Sequence, residues 1–115
     1  MFMKTKLSIL AMLLFSSTMF LSSCSKEEED GKVVFWNKTG DGIGLVVVQV
    51  EQSIVGSITL DYADAPDCGA NGVVTYTDKP GLYIYSAAES SPGSRTWSGS
   101  FTLTDGGCFT LRFTP

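Results

Sequence analysis

The stretch R-T-W-S-G-S-F-T-L-T-D-G-G-C-F-T-L-R-F-T, residues 95–114, decides the fold. Phe109, Leu111 and Phe113 alternate with Thr110, Arg112 and Thr114, and Phe101 and Leu103 alternate with Thr102 and Thr104. A period of two puts successive side chains on opposite faces of an extended chain, so each segment has one apolar and one polar face. Asp105-Gly106-Gly107 between them is a turn signal, and the pair reads as a hairpin of Arg95–Thr104 and Cys108–Thr114.

Working outward, the same punctuation recurs. Val33–Asn37 opens the domain, and Gly44–Glu51 follows the turn Thr39-Gly40-Asp41-Gly42. Ile54–Tyr62 pairs back across Gln52-Ser53, with Ile58, Leu60 and Tyr62 alternating against Ser57, Thr59 and Asp61. Gly72–Thr77 comes after the Pro66–Asn71 loop, and Leu82–Ala87 after Asp78-Lys79-Pro80-Gly81. No stretch of ten residues shows helical apolar spacing with caps. β-Branched and aromatic runs cut by Gly, Asn, Asp and Pro at intervals of about ten predict an all-β domain, a small antiparallel β-sandwich of about seven strands. Leu82–Tyr85 and Leu45–Val48 are apolar on both faces, which predicts central strands or a face covered by a partner.

Composition narrows the function. The chain has 115 residues, 8 Lys plus Arg against 12 Asp plus Glu, a net charge of −4, three cysteines and no histidine. The acidic balance argues against nucleic acid, whose phosphates call for a Lys/Arg surplus. Without imidazole, Ser-His-Asp and Cys-His catalysis and His-ligated metals are excluded.

The N-terminus reads as an address. Two lysines precede an apolar run of 15 residues, Leu7–Leu21, which ends in Leu21-Ser22-Ser23-Cys24. That is the layout of a secretory signal, and the run falls short of the roughly 20 residues a spanning helix needs. Leu-Ser-Ser-Cys resembles the lipobox of bacterial lipoproteins. The resemblance implies cleavage before Cys24, a diacylglyceryl thioether on its sulfur and acylation of the new amine. Several acyl chains together anchor a protein stably, so the membrane is the first expected partner. Ser25-Lys26-Glu27-Glu28-Glu29-Asp30 reads physically as a solvated charged tether. Lys26 followed by Glu27, Glu28, Glu29 and Asp30 also resembles the surface-export signal of Bacteroidota-type lipoproteins, and Ser25 resembles outer-membrane sorting. The expected organisation is a cleaved leader over 1–23, a lipidated cysteine and acidic tether over 24–32, and the sandwich over 33–115, at the cell outer membrane and facing the exterior.

Cys68 and Cys108 remain. In an oxidising compartment an even pair in a small secreted domain predicts a disulfide. Phe35-Trp36, Gly42-Ile43-Gly44, Gly56-Ser57-Ile58-Thr59, Pro66-x-Cys68-Gly69, Pro80-Gly81-Leu82-Tyr83, Trp97-Ser98-Gly99 and Gly107-Cys108 occur in that order. This resembles a small repeated β-domain of secreted and lipidated Bacteroidota-type proteins, and the Pro-Gly-x-Tyr turn resembles carboxypeptidase-regulatory or transthyretin-like sandwiches. The resemblance implies the fold and carries no catalytic residue.

Candidate chemistry is sparse. Asp61, Asp64 and Asp67, with Asp41, form a weak calcium candidate without EF-hand order, and Asp-rich turns are ordinary in β proteins. Trp36 reads as a core plug. Trp97 with Tyr83 or Tyr85 could form a stacking platform for a sugar ring. Ser90–Ser94 has no base to activate a serine, and Glu89 with an aspartate would need a deeper cleft than so small a domain offers. The reading is a non-catalytic cell-envelope lipoprotein without a cofactor, a protein-binding or accessory module. The alternative is a carbohydrate-binding surface lipoprotein that uses the aromatics.

Overall fold

The computed structural model describes residues 28–90 and 93–115. The leader, Cys24, Lys26 and Glu27 lie outside them. Eight strands follow in order: β1 (Gly31–Lys38), β2 (Val46–Val50), β3 (Ser53–Ile58), β4 (Asp61–Tyr62), β5 (Val74–Asp78), β6 (Gly81–Glu89), β7 (Thr96–Leu103) and β8 (Cys108–Phe113). They form two sheets, and the described residues contain no helix.

One sheet runs β3-β2-β6-β7, antiparallel throughout. In the other, β1 is central. Residues 32–37 pair with β8 along one edge, which leaves the opposite edge for β5 (residues 31–35) and then β4 (residues 37 and 38). The β1–β8 and β1–β4 pairs are parallel, so this sheet is mixed rather than purely antiparallel.

Alternation explains the core. Val33 and Phe35 of β1, Phe113 of β8, Val46 and Val48 of β2, and Phe101 and Leu103 of β7 meet between the sheets with almost no exposure. Phe35 is central. Its ring lies 5.5, 5.6 and 5.8 Å from those of Tyr85, Phe101 and Phe113, within the spacing at which aromatic pairs attract beyond simple burial.

Three expectations need correction. Arg95–Thr104 and Cys108–Thr114 do not form a hairpin: β7 pairs with β6 and β8 with β1. Their apolar rows face each other across the core, with Trp97 stacked 5.0 Å from Phe113. The intervening turn closes through Gly107 N to Thr104 O at 3.0 Å, and Gly107 O then accepts from Lys32 N, which hands the chain to β1. Gly106 takes φ +70°, the left-handed region that glycine enters without penalty. Second, Ile54–Tyr62 is two strands. At Thr59 and Leu60 both amides donate to Gly72 O, and the chain crosses from one sheet to the other. Third, the β2–β3 turn lies at Glu51-Gln52, one residue earlier than expected, because Val50 pairs with Ser53. Both turn residues have positive φ, 52° and 70°, as a type I′ turn demands.

The disulfide joins Cys68 and Cys108. Cys108 belongs to the outward row of β8, opposite in phase to Phe109, Leu111 and Phe113. Gly69 N donates to Oγ1 of Thr75 on the outward row of β5, at 3.0 Å. The loop 63–73 is therefore fastened to both strands flanking β1 and crosses its outer face. Val34, paired with Thr75 on one side and Thr110 on the other, lies under it at 0% exposure. Trp36, on the same outward row, is 6% exposed. The staple thus creates a second, smaller buried layer outside the sandwich.

Candidate functional site

The outer face of the β3-β2-β6-β7 sheet is the most unusual surface. Register and alternation put Val47 and Gln49 of β2, Ile54 of β3, and Leu82, Ile84, Ser86 and Ala88 of β6 on it. Thr96, Ser98, Ser100 and Thr102 of β7 complete it. None of these strand positions carries a charge; the Glu51 carboxylate of the β2–β3 turn borders the face beside Ile84. Ile54, Leu82 and Ile84 are 67%, 70% and 63% exposed. Large aliphatic side chains in neighbouring rows, on a face otherwise of Ser, Thr, Val, Ala and Gln, make a flat surface that costs little to desolvate. An open depression of about 370 Å³ runs between β2 and β7, lined by Val47, Gln49, Ser86, Ala88, Thr96 and Ser98.

The position of Ile54 depends on a β-bulge. The β2–β3 register shifts between Val48, opposite Gly56, and Gln49, opposite Ile54, so Val55 is the extra residue and turns toward the core. Such a bulge re-aims the residues beyond it. At the turn, Glu51 N donates to Ile84 O at 2.9 Å, and Ile84 N donates to Oε2 of Glu51 at 2.8 Å. That double grip fixes the backbone under the exposed Ile84.

The aromatic candidates lie on the other side of this sheet. Trp97, Tyr83 and Tyr85 are half-buried and pack inward. Tyr83 stacks 5.6 Å from Phe101 and donates to Lys79 O at 2.7 Å; Trp97 Nε1 donates to Thr114 O at 2.8 Å. Tyr85 lies 6.2 Å from Phe101 and 6.0 Å from Phe113. Each of the three thus packs at least one ring face against the core. Beside them, Tyr76 donates to Oδ2 of Asp78 at 2.6 Å. Burial, then that carboxylate, raises the Tyr76 hydroxyl pKa well above its ordinary value. The same hydrogen bond, with one from Lys79 N, lowers Asp78.

Glu89 is the one buried carboxylate among the described residues, its side chain wholly covered. It accepts from Gly44 N at 2.6 Å, from Arg95 Nε at 2.9 Å, and from Arg95 N and Nη2 at 3.2 Å each. Arg95 Nη2 also donates to Gly42 O at 2.8 Å. The Arg95 guanidinium first, then the Gly44 amide, hold the Glu89 carboxyl down to about 2. Every partner is structural: the knot ties the β1–β2 loop to the β6–β7 connection.

Asp61, Asp64 and Asp67 are all exposed along β4 and the following loop. Among the described residues no three acidic or cysteine side chains converge as a metal site would require. Asp41 is engaged by Arg112 at 2.7 Å. Of the tether, Glu28, Glu29 and Asp30 are described and exposed. Glu29 N donates to Oδ1 of Asp105 and Glu29 O accepts from Gly106 N, so the tether docks on the β7–β8 turn before β1 begins. Gly31 starts that strand two residues earlier than expected, and a side chain there would strike Thr104 O.

Two features escaped the sequence reading. Asn37 is 1% exposed at the inner end of β1, with Oδ1 and Nδ2 unpartnered among the described residues. Glu89 and Arg95 pair across a strand connection; an acid and a base at its two ends were the available signal. No protein-family model matches the chain, and no curated protein matches it.

Proposed function

We propose that this chain is a non-catalytic cell-envelope lipoprotein, anchored through Cys24, whose sandwich docks another protein. The observation that carries the docking half is the outer face of the β3-β2-β6-β7 sheet, whose strand positions carry no charge and from which Ile54, Leu82 and Ile84 project. A sugar platform asks for exposed, coplanar rings, whereas Trp97, Tyr83 and Tyr85 pack inward; a protein partner asks for a flat surface that is cheap to desolvate. The anchoring half is supported by the leader and the Leu21-Ser22-Ser23-Cys24 sequence.

Two experiments test the halves separately. Radiolabelled palmitate incorporation is expected in the parent and lost in Cys24→Ala; labelling that persists overturns the anchor. Crosslinking on intact cells, followed by mass spectrometry, is expected to recover protein adducts that Ile84→Lys with Leu82→Lys removes. Adducts indifferent to that change, or recovery of glycan alone, overturn the docking face.

A further inference from the structure

We infer that two copies of this chain pair edge to edge through β7, antiparallel about a two-fold axis at Gly99, so that their β3-β2-β6-β7 sheets become one continuous sheet. This goes beyond the reading above and needs neither the lipid nor the outer-face partner.

The first observation is the free edge. Glu51 N bonds to Ile84 O and Ser90 N to Leu45 O, so the even residues of β6 face β2. The odd residues of β6 therefore face β7, and Glu89 N to Arg95 O at 2.8 Å confirms that phase. In an antiparallel ladder, Trp97, Gly99 and Phe101 then spend their backbone groups on β6. Thr96, Ser98, Ser100 and Thr102 turn theirs outward. None of these outward groups has a hydrogen-bond partner among the described residues.

The second observation is that this edge carries none of the usual protection. At the other end of the sheet, β3 has the Val55 bulge and Gly56. In the mixed sheet, β8 carries the disulfide at Cys108 and the Arg112–Asp41 ion pair. β4 is two residues long with Asp61 in it, and β5 ends on Asp78. From residue 96 to 102, β7 has no charge, no proline and no register shift against β6.

The third observation selects the occupant. Thr96-Trp97-Ser98-Gly99-Ser100-Phe101-Thr102 reads the same in both directions by residue type: Thr, aromatic, Ser, Gly, Ser, aromatic, Thr. Two such strands meeting antiparallel are self-complementary, as a two-fold contact requires. With Gly99 on the axis, Thr96 lies opposite Thr102 and Ser98 opposite Ser100 of the second copy. These are the residues with free backbone groups, so each pair exchanges two hydrogen bonds. The hydroxyls on the outer face add Thr–Thr and Ser–Ser cross-strand pairs. A shift of one residue would place spent groups opposite free ones. Gly99 has its own reason to lack a side chain, since a Cβ there would come within 3.0 Å of Tyr85 Oη.

The test uses the full chain in detergent solution, followed by sedimentation equilibrium. Ser98 and Ser100 are exposed, so lysine at either leaves the core intact. The parent is expected to show a reversible monomer–dimer equilibrium. Ser98→Lys with Ser100→Lys sets like charges opposite each other and is expected to weaken it about tenfold or more. Ser98→Lys with Ser100→Glu sets opposite charges face to face in this register alone and is expected to restore it. A parent that stays monomeric, a dimer indifferent to the two lysines, or failure of the Lys/Glu variant to recover association each overturns the proposal. Circular dichroism of every variant separates lost association from lost folding.

Discussion

Removing the Cys68–Cys108 staple tests the energetic account most directly. The perturbation is Cys68→Ala with Cys108→Ala, and the closed loop spans a sequence separation of 40. Opening a loop of that length returns chain entropy to the unfolded state worth about 4 kcal/mol. The domain from Gly31 onward has about 85 residues, so its whole stability is of order 5–10 kcal/mol. The staple therefore supplies a large share of it. With a urea dependence of roughly 1.5 kcal/mol per molar, the unfolding midpoint is expected to fall by roughly 2–3 M. A second readout is local. Trp36 is 6% exposed on the face that loop 63–73 crosses, so its native-state emission is expected to shift red once the loop is released. A midpoint within about 0.5 M of the parent would refute the reasoning, because the entropy of so long a loop cannot be that small.

The remaining predictions concern single side chains. The Glu89 carboxyl sits at about 2, below its ordinary 4.5, so the stability it supplies is present above 4.5 and lost as pH falls toward 2. Urea midpoints measured across that window should decline in the parent, and Glu89→Gln, already weaker at neutral pH, should decline less; parallel slopes would contradict the assignment. Asn37→Leu removes buried amide atoms that have no partner among the described residues and is expected to raise stability by about 1–3 kcal/mol in urea unfolding, whereas a loss would contradict this account. Phe35→Ala empties the site where three other rings meet and should cost about 3–5 kcal/mol by the same measurement.

Much of this architecture was legible because alternation reports which side of a strand is buried. Phe109, Leu111, Phe113, Phe101 and Leu103 face inward as their spacing predicts. Alternation says nothing about which neighbour a strand takes, so the parallel β1–β8 pair was hidden and a hairpin was expected in its place. Where both rows are apolar, the phase itself is undecided. Leu82-Tyr83-Ile84-Tyr85 could have faced either way. The tyrosines went inside, Tyr83 with its hydroxyl on Lys79 O at the rim and Tyr85 against the rings of Phe35, Phe101 and Phe113, leaving the aliphatic residues outside. The sequence therefore singled out the aromatic row, and the aliphatic row between its members became apparent as the outward one only from the register. Trp36 reads as core and is buried, but under the stapled loop and not between the sheets. The Glu51-Gln52 turn was missed because neither residue is one that usually accepts positive φ.

The pairing of β1 with β8 has a bearing on how the domain matures. Residues 32–37 find their partners at 108–113, about as far along the domain as two strands can be. Contacts of such long range form late, since the intervening chain must first be gathered in. A polypeptide emerging N-terminus first can pair β1 with β4 and β5, but the other edge of that central strand stays open until synthesis or translocation has delivered the eighth. Cys108, the partner thiol of Cys68, arrives with that strand. Completion of the fold and oxidation of the pair are thereby tied to the same moment, and a chain halted short of it stays open to proteases.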